Sequence, residues 1–423
     1  MTKSSVISRF YKLSPKERLA VVKDFAGLNE EEMHLMQEAS SLSIDMADHM
    51  VENVIGVFPE PLGIAVNFQI NGKDYLIPMA TEEPSVIAAA SYAAKMVRDG
   101  GGFHTSSSAP IMIGQIQVVG IKDAKLAKKQ VLDAKADILK KANDQDPVLN
   151  SFGGGAKDMD AKIIETSLGQ MLIVELYVDC RDAMGANAVN TMAEAVAPSI
   201  ERLTGGHVYL RIISNLATKR LAKAWCIVPK ESLGGEAVVD GVAYASAFAE
   251  ADPYRAATHN KGALNGIIAV VLATGNDHRA IEAGAHAYAA LKGNYTALST
   301  WKKNANGDLE GSIELPIAIG LIGGAVKTHP IARIAMKILD VKSSNEFAEV
   351  LAAVGLAQNL GALRALANEG IQRGHMSLHA RNIAVTAGAK DEQVDLVAER
   401  MIKERKVRVD RAKEILEEIT RKQ

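Results

Sequence analysis

Ile111-Met112-Ile113-Gly114-Gln115-Ile116-Gln117-Val118-Val119-Gly120 is the stretch at which the chain changes texture. Branched apolar residues here give the signature of a strand set in a sheet. Lysine-rich helical sequence follows over residues 124–142. A second strand is read at Leu172-Ile173-Val174-Glu175-Leu176-Tyr177-Val178, a second helix over 182–200, and a third strand at Val208-Tyr209-Leu210-Arg211-Ile212-Ile213. Strand, helix, strand, helix and strand over about a hundred residues predict an α/β sandwich unit inserted between two more helical parts. Its boundaries fall near 109 and 217.

Outward from that unit, the N-terminal part opens a helix at Leu13-Ser14-Pro15, where Ser14 can cap and Pro15 fits the first turn. Residues 27–32 close that helix and open another. Apolar positions Met46, Met50, Val51, Val54 and Ile55 recur at helical spacing. Asn71-Gly72, between Phe68-Gln69-Ile70 and Tyr75-Leu76-Ile77, is a strong hairpin signal. Glu83-Pro84-Ser85 then starts a helix, whose N-terminal end either seats an anion or is complemented by Glu83 itself.

The chain has 423 residues and a net charge of −2, so it divides into two or three domains and has no basic field for nucleic acid. Two cysteines, Cys180 and Cys226, make no disulfide framework and point to a reducing compartment. The first residues lack the apolar core of a signal peptide, and the longest apolar run, 267–273, is far short of a bilayer span. A cytoplasmic protein without membrane contact is expected.

The densest polar stretch is Asp252-Pro253-Tyr254-Arg255-Ala256-Ala257-Thr258-His259-Asn260-Lys261-Gly262-Ala263-Leu264-Asn265-Gly266, set in alanine-rich sequence. Burying such groups without hydrogen bonds costs roughly 1–3 kcal/mol each. They therefore satisfy one another or await a ligand; a solvated helix start after Pro253 is the plainer alternative. Two glycine clusters lie inside the inserted unit. Residues 151–158 lack P-loop spacing, and no Gly-x-Gly-x-x-Gly turn is present. Asp182-Ala183-Met184-Gly185-Ala186-Asn187, after a strand and opening a helix, is the best seat for a pyrophosphate. No metal-ligand spacing is found.

Glu83-Pro84-Ser85, Asp182-Ala183-Met184-Gly185-Ala186-Asn187, Thr258-His259-Asn260-Lys261-Gly262, Thr274-Gly275-Asn276-Asp277 and Gly374-His375-Met376 occur in this order. Together they resemble the soluble class II hydroxymethylglutaryl-coenzyme A reductases of bacteria and archaea, along nearly the whole chain. The fold this implies is mixed α+β and α/β. It comprises a mainly helical large substrate domain in two parts, 1–108 and 218–373, an inserted small non-Rossmann α/β sandwich domain for the dinucleotide at 109–217, and a C-terminal helical flap at 374–423.

The activity implied is the interconversion of 3-hydroxy-3-methylglutaryl-CoA and mevalonate plus free CoA, by two hydride transfers with a nicotinamide cofactor, in the mevalonate pathway of isoprenoid metabolism. The resemblance gives Glu83, Lys261, Asp277 and His375 catalytic roles. Lys261 stabilises the oxyanion, Glu83 is an acid, Asp277 holds Lys261 charged, and His375 protonates the departing CoA thiolate. Ser85, Arg255, Asn265, Gln358, Ala362 and Leu366 match substrate-contacting positions, and Asn215 a supporting one. Asp146, Asp182, Ala183, Met184, Gly185 and Asn187 are the expected cofactor contacts. Asp146 either meets the ribose, favouring NAD(H) while NADP(H) is still admitted, or only caps a turn. The family's N-terminal arginine for the CoA phosphate is Tyr11 here, with Arg9 and Lys12 nearby. A homodimer or higher homo-oligomer with its site at the subunit interface is implied, with residues 46–55 facing the second copy.

Overall fold

The computed structural model describes residues 3–38, 41–368, 380–390 and 392–420. α1 (Pro15–Ala26) begins with a capping box: Glu17 N donates to Ser14 Oγ at 3.3 Å and Ser14 N donates to Glu17 Oε2 at 2.7 Å. α2 (Glu30–Gln37) uses Asn29 and Glu32 in the same way. α3 (Ile44–Met50) is shorter than the stripe over 46–55 implied, since Val51 is already extended. Val51, Ile55 and Phe58 stand exposed, so in the single chain no burial drives the helix onward.

β1 (Leu62–Ile70) and β2 (Lys73–Ala80) form the hairpin, with Ile70 opposite Lys73. Asn71 (φ 49) and Gly72 (φ 80) both take the left-handed conformation that a two-residue primed turn needs. The helix expected from Pro84 starts later, as α4 (Val86–Asp99), because Ser85 sits in the left-handed region at φ 73. β3 (His104–Ser107) leads into the inserted unit.

That unit holds β4 (Ile111–Val119), α5 (Ala124–Asp133), α6 (Lys135–Asn143), α7 (Pro147–Ser151), β5 (Gly155–Thr166), β6 (Gly169–Asp179), α8 (Ala186–Thr204) and β7 (His207–Ser214). The lysine-rich helix is thus two, broken at Ala134, and β5 is a strand the sequence reading lacks. The four strands are antiparallel in the order β5-β6-β4-β7. Their inner face (Met112, Ile116, Leu172, Val174, Leu176) packs with Val189, Met192, Val196 and Ile200 of α8 and with Val131 and Ile138 of α5 and α6.

The chain returns through β8 (Leu221–Val228), α9 (Lys230–Leu233), α10 (Glu236–Ala251), α11 (Pro253–Ala273), α12 (His278–Ala289), β9 (Ser299–Lys303), β10 (Leu309–Pro316), α13 (Ala325–Thr328), α14 (Pro330–Leu339) and α15 (Ser344–Asn368). The second antiparallel sheet runs β3-β8-β10-β9. Two further helices, Glu392–Glu404 and Val409–Thr420, pack with residues 380–389 around Ala384, Val397, Met401 and Ile415.

α15 is the spar of the main core. All residues from Leu351 through Leu360 are buried, which a helix apolar on every side requires. Among the described residues it is the one helix long and apolar enough to cross a membrane, yet 67% of that window is buried within the protein. Its neighbours approach closely because the contacts are small. A Cβ on Gly361 would lie 3.1 Å from the Ala89 carbonyl of α4, and one on Gly266 of α11 2.9 Å from Gln358 Cβ. This close packing brings the start of α4 beside the middle of α11.

Candidate active site

α11 divides the polar stretch of residues 252–266 between two faces. Asp252 caps the helix, accepting from Arg255 N at 2.8 Å, and Pro253 fills the first turn. His259 and Asn260 turn inward. The His259 Nε2 shares a 2.7 Å hydrogen bond with Ser299 Oγ, which donates onward to Asn359 Oδ1 at 2.9 Å. Asn260 donates to the Thr296 carbonyl at 2.9 Å and accepts from Leu298 N at 2.8 Å. His259 and Asn260 therefore belong to a structural network that joins α11 to β9 and to the segment just before it.

Burial, helped by the Arg255 charge, pushes the buried His259 imidazole down to about 4, and its Nδ1 has no partner among the described residues. The unfolded chain thus binds a proton between pH 6.5 and about 4 that the native state refuses, so stability falls as pH drops through that window. About 3 kcal/mol is expected to be lost there from this residue alone. Urea midpoints at pH 7 and 4.5 measure it, and His259→Gln should flatten the dependence; an unchanged slope would remove His259 as the cause.

The other face of α11 carries Lys261 and Asn265, one turn apart. Lys261 Nζ donates to Glu83 Oε2 at 2.6 Å, and Asn265 Nδ2 donates to the same oxygen at 3.3 Å. Glu83 Oε1 has no partner among the described residues. Ser85, two positions on, holds its left-handed backbone with no side-chain cap, the kind of strain that collects at functional sites. In the single chain the pair is open: the Lys261 side chain is 59% exposed and that of Glu83 36%. Gln358 faces this region from α15, 5% exposed, with its Oε1 unpartnered among the described residues. Ala362 lies against Gly262, and Leu366 is exposed.

Within the single chain Asp277 stands apart from this group and makes no ion pair with Lys261. It caps α12, accepting from Ala280 N at 3.0 Å, and its nearest cation is Arg279 at 3.9 Å. The reason is helical rise: from Lys261 to the end of α11 at Ala273 is about 18 Å along the axis. Asp277 instead borders the cofactor motif. Asn276 Oδ1 accepts from Gly320 N at 3.1 Å, and Gly320 packs on the backbone of Ala183 and Met184. Exposed Asn215 lies nearby, its carbonyl pressed on Gly284 of α12. In one chain the two groups therefore lie at opposite ends of half a helix.

The motif itself opens α8. Gly185 is its N-cap at φ 107, where a Cβ would meet Cys180 Sγ at 2.3 Å, and no side chain caps the helix. The bare first turn fits a pyrophosphate. Asn187 is exposed in that turn. Arg220, 4% exposed, holds the preceding loop by donating to the carbonyls of Ala183 (3.0 Å), Met184 (3.1 Å) and Ile319 (2.6 Å). Nothing in the Thr-Lys-Arg sequence around it signals that role. Asp146 does cap α7: its Oδ1 accepts from Leu149 N at 2.8 Å, which leaves Oδ2 for any ligand. Arg9, Tyr11 and Lys12 are exposed around a short 3-10 turn. His375 lies outside the described residues, as does the start of the expected flap.

A model of the hydroxymethylglutaryl-coenzyme A reductase family matches residues 14–380. The chain is 58% identical over 416 residues to the 3-hydroxy-3-methylglutaryl-coenzyme A reductase of Archaeoglobus fulgidus, covering 98% of this chain and 95% of that one. It is 38% identical over 344 residues to a probable reductase of Borreliella burgdorferi, covering 80% and 78%. Among solved structures it is similar to the reductase of Streptococcus pneumoniae, with TM-score 0.84, 40% identity, and 97% and 99% of the two chains covered. A structure of that class II enzyme bound to NADPH in open conformations superposes with TM-score 0.82 at 40% identity, covering 96% and 100%.

Proposed function

We propose, from the premise that this chain belongs to the hydroxymethylglutaryl-coenzyme A reductase family, a site built from two copies of it. The protein is an oxidoreductase that interconverts 3-hydroxy-3-methylglutaryl-CoA and mevalonate plus CoA with a nicotinamide cofactor. The observation that supports the two-copy reading is the separation of the half-sites, Glu83-Lys261-Asn265 and Asp277 with the cofactor motif. Oxyanion stabilisation needs a dry, preorganised site, and a Lys261 ammonium 59% exposed in one chain is not dry. A second copy, docked through the exposed Val51, Ile55 and Phe58, brings its Asp277 and supplies the cover. Residues 109–217 carry the dinucleotide, residues 1–108 and 218–373 the substrate, and 374–423 close as a flap in a cytoplasmic enzyme.

Within the assembled site Lys261 meets the carbonyl oxygen on which charge develops in both reductions. Glu83, 2.6 Å from that ammonium, exchanges a proton with it along one hydrogen bond and delivers the proton to the aldehyde oxygen. Arg255 grips the free carboxylate of the glutaryl end, Ser85 and Asn265 contact the substrate on the Glu83 side, and Gln358, Ala362 and Leu366 line the pocket. His375 protonates the CoA thiolate as it leaves. The bound nicotinamide supplies a hydride at each reduction. A turnover assay with hydroxymethylglutaryl-CoA and each of NADH and NADPH tests the reading; no oxidation of either would end it.

For cofactor choice, the free oxygen of Asp146 supports NAD(H): it can accept from ribose hydroxyls and repels a 2′-phosphate. NADH should give the higher kcat/KM, and Asp146→Ala should narrow the ratio. An unchanged ratio would leave Asp146 as a helix cap alone.

A further inference from the structure

The first residue of the cofactor motif is occupied elsewhere. Asp182 Oδ1 accepts a 2.8 Å hydrogen bond from Ser344 N, the first residue of α15 and 162 positions away in sequence. Ser344, buried, donates through Oγ to the Arg181 carbonyl at 2.7 Å, and Leu321 N donates to the Asp182 carbonyl at 2.8 Å. Asn345 next to it donates to the Ser108 carbonyl at 2.9 Å, on the crossing into the inserted unit. The first turn of α15 thus grips both the entry to that unit and the loop that opens α8. A helix start needs acceptors for its free N–H groups, and here one is supplied from the other unit.

We propose that Asp182 is a positioning residue: its carboxylate caps α15 across the boundary and so fixes the α8 N-terminus relative to the substrate half of the molecule. This rests on the reading that α8 receives the cofactor. Hydride transfer tolerates little displacement, whereas loose binding of the dinucleotide at α8 survives it. A positioning role therefore separates kcat from cofactor KM.

The test compares Asp182→Ala, Asp182→Asn, Ser344→Ala and Ala186→Asp in the full-length assembled enzyme. Asp182→Ala should lower kcat about 10- to 100-fold, enlarge the isotope effect with deuterated nicotinamide, and shift cofactor KM by less than about 3-fold. Asp182→Asn, which keeps a capping oxygen, should recover most of the loss. Ser344→Ala should show a smaller fall in kcat, with the same isotope signature. If Asp182→Asn is as impaired as Asp182→Ala and both raise cofactor KM, Asp182 is a charged cofactor ligand and the proposal is overturned; unchanged kcat in Asp182→Ala overturns it too. Ala186→Asp places a carboxylate in the first turn of α8, where it stabilises the helix but repels a pyrophosphate. An unaltered cofactor KM in that variant would count against the cofactor reading itself, separately from Asp182. Thermal melts of all four verify that the compared proteins are folded.

Discussion

Lys261→Ala is expected to abolish both reductions. Removing one neutral oxyanion donor costs about 10²–10³ in rate, and Lys261 is the cation of its half-site, so at least that loss should appear with the thioester and with mevaldehyde alike. Substrate binding should change little, since Arg255 and the pocket on α15 remain. The substitution also leaves Glu83 with Asn265, at 3.3 Å, as its side-chain partner among the described residues, so on the proposed mechanism the acid loses the group with which it exchanges its proton. Lys261→Arg should rescue poorly: a planar fork does not occupy the place of a compact ammonium 2.6 Å from a carboxylate. Substantial turnover in Lys261→Ala would sink the assignment of both residues.

A mixture of two dead proteins should regain activity. Lys261→Ala and Asp277→Ala subunits, denatured together and refolded in equal amounts, give about half mixed dimers, each with one intact site of two, so about a quarter of parental activity is expected. The arithmetic depends on the half-sites meeting across the interface. Were Lys261 and Asp277 to act within one chain, every site in the mixture would lack one of them and no activity would return. The 21-residue α11 makes the first outcome the expected one, because it holds the two positions apart as a rigid strut.

Much of this was legible in the residues, for local reasons. The helix start at Ser14-Pro15, the helix break within residues 27–32 and the Asn71-Gly72 turn are each set by neighbouring residues, and all three occur where they were read. The family motifs located Glu83 and Lys261, which meet although 178 positions apart. What was not legible depended on distant partners. β5 is an edge strand whose outer positions are mostly exposed, and its opening glycine cluster reads as a loop. The stripe over 46–55 has apolar periodicity but no surface in its own chain to bury against. Asp277 stands in the same motif series as Lys261, and motif order says nothing about helical rise. Asn260 looks as much like a ligand as Lys261 does until Thr296 and Leu298, just before β9, supply its hydrogen bonds. Arg220 sits in an ordinary basic pair, and only the convergence of three carbonyls from two loops gives it a task.

The turn that made the hairpin so easy to read also gives the molecule a chemical clock. An asparagine followed by glycine is the peptide linkage most prone to lose its side-chain amide, since the bare glycine nitrogen can attack the carbonyl. In the folded chain the Asn71 amide is gripped at both ends, donating to Thr105 Oγ1 at 2.8 Å and accepting from Thr105 N at 3.0 Å, which keeps it from the attacking geometry. Once spent, the residue would present a carboxylate to Glu349, whose Oε2 lies 3.5 Å from the present amide nitrogen. Ageing of stored protein should therefore register first where β3 and α15 meet, as a one-charge acidic species with a lower melting temperature, well before any residue of the catalytic half-sites is altered.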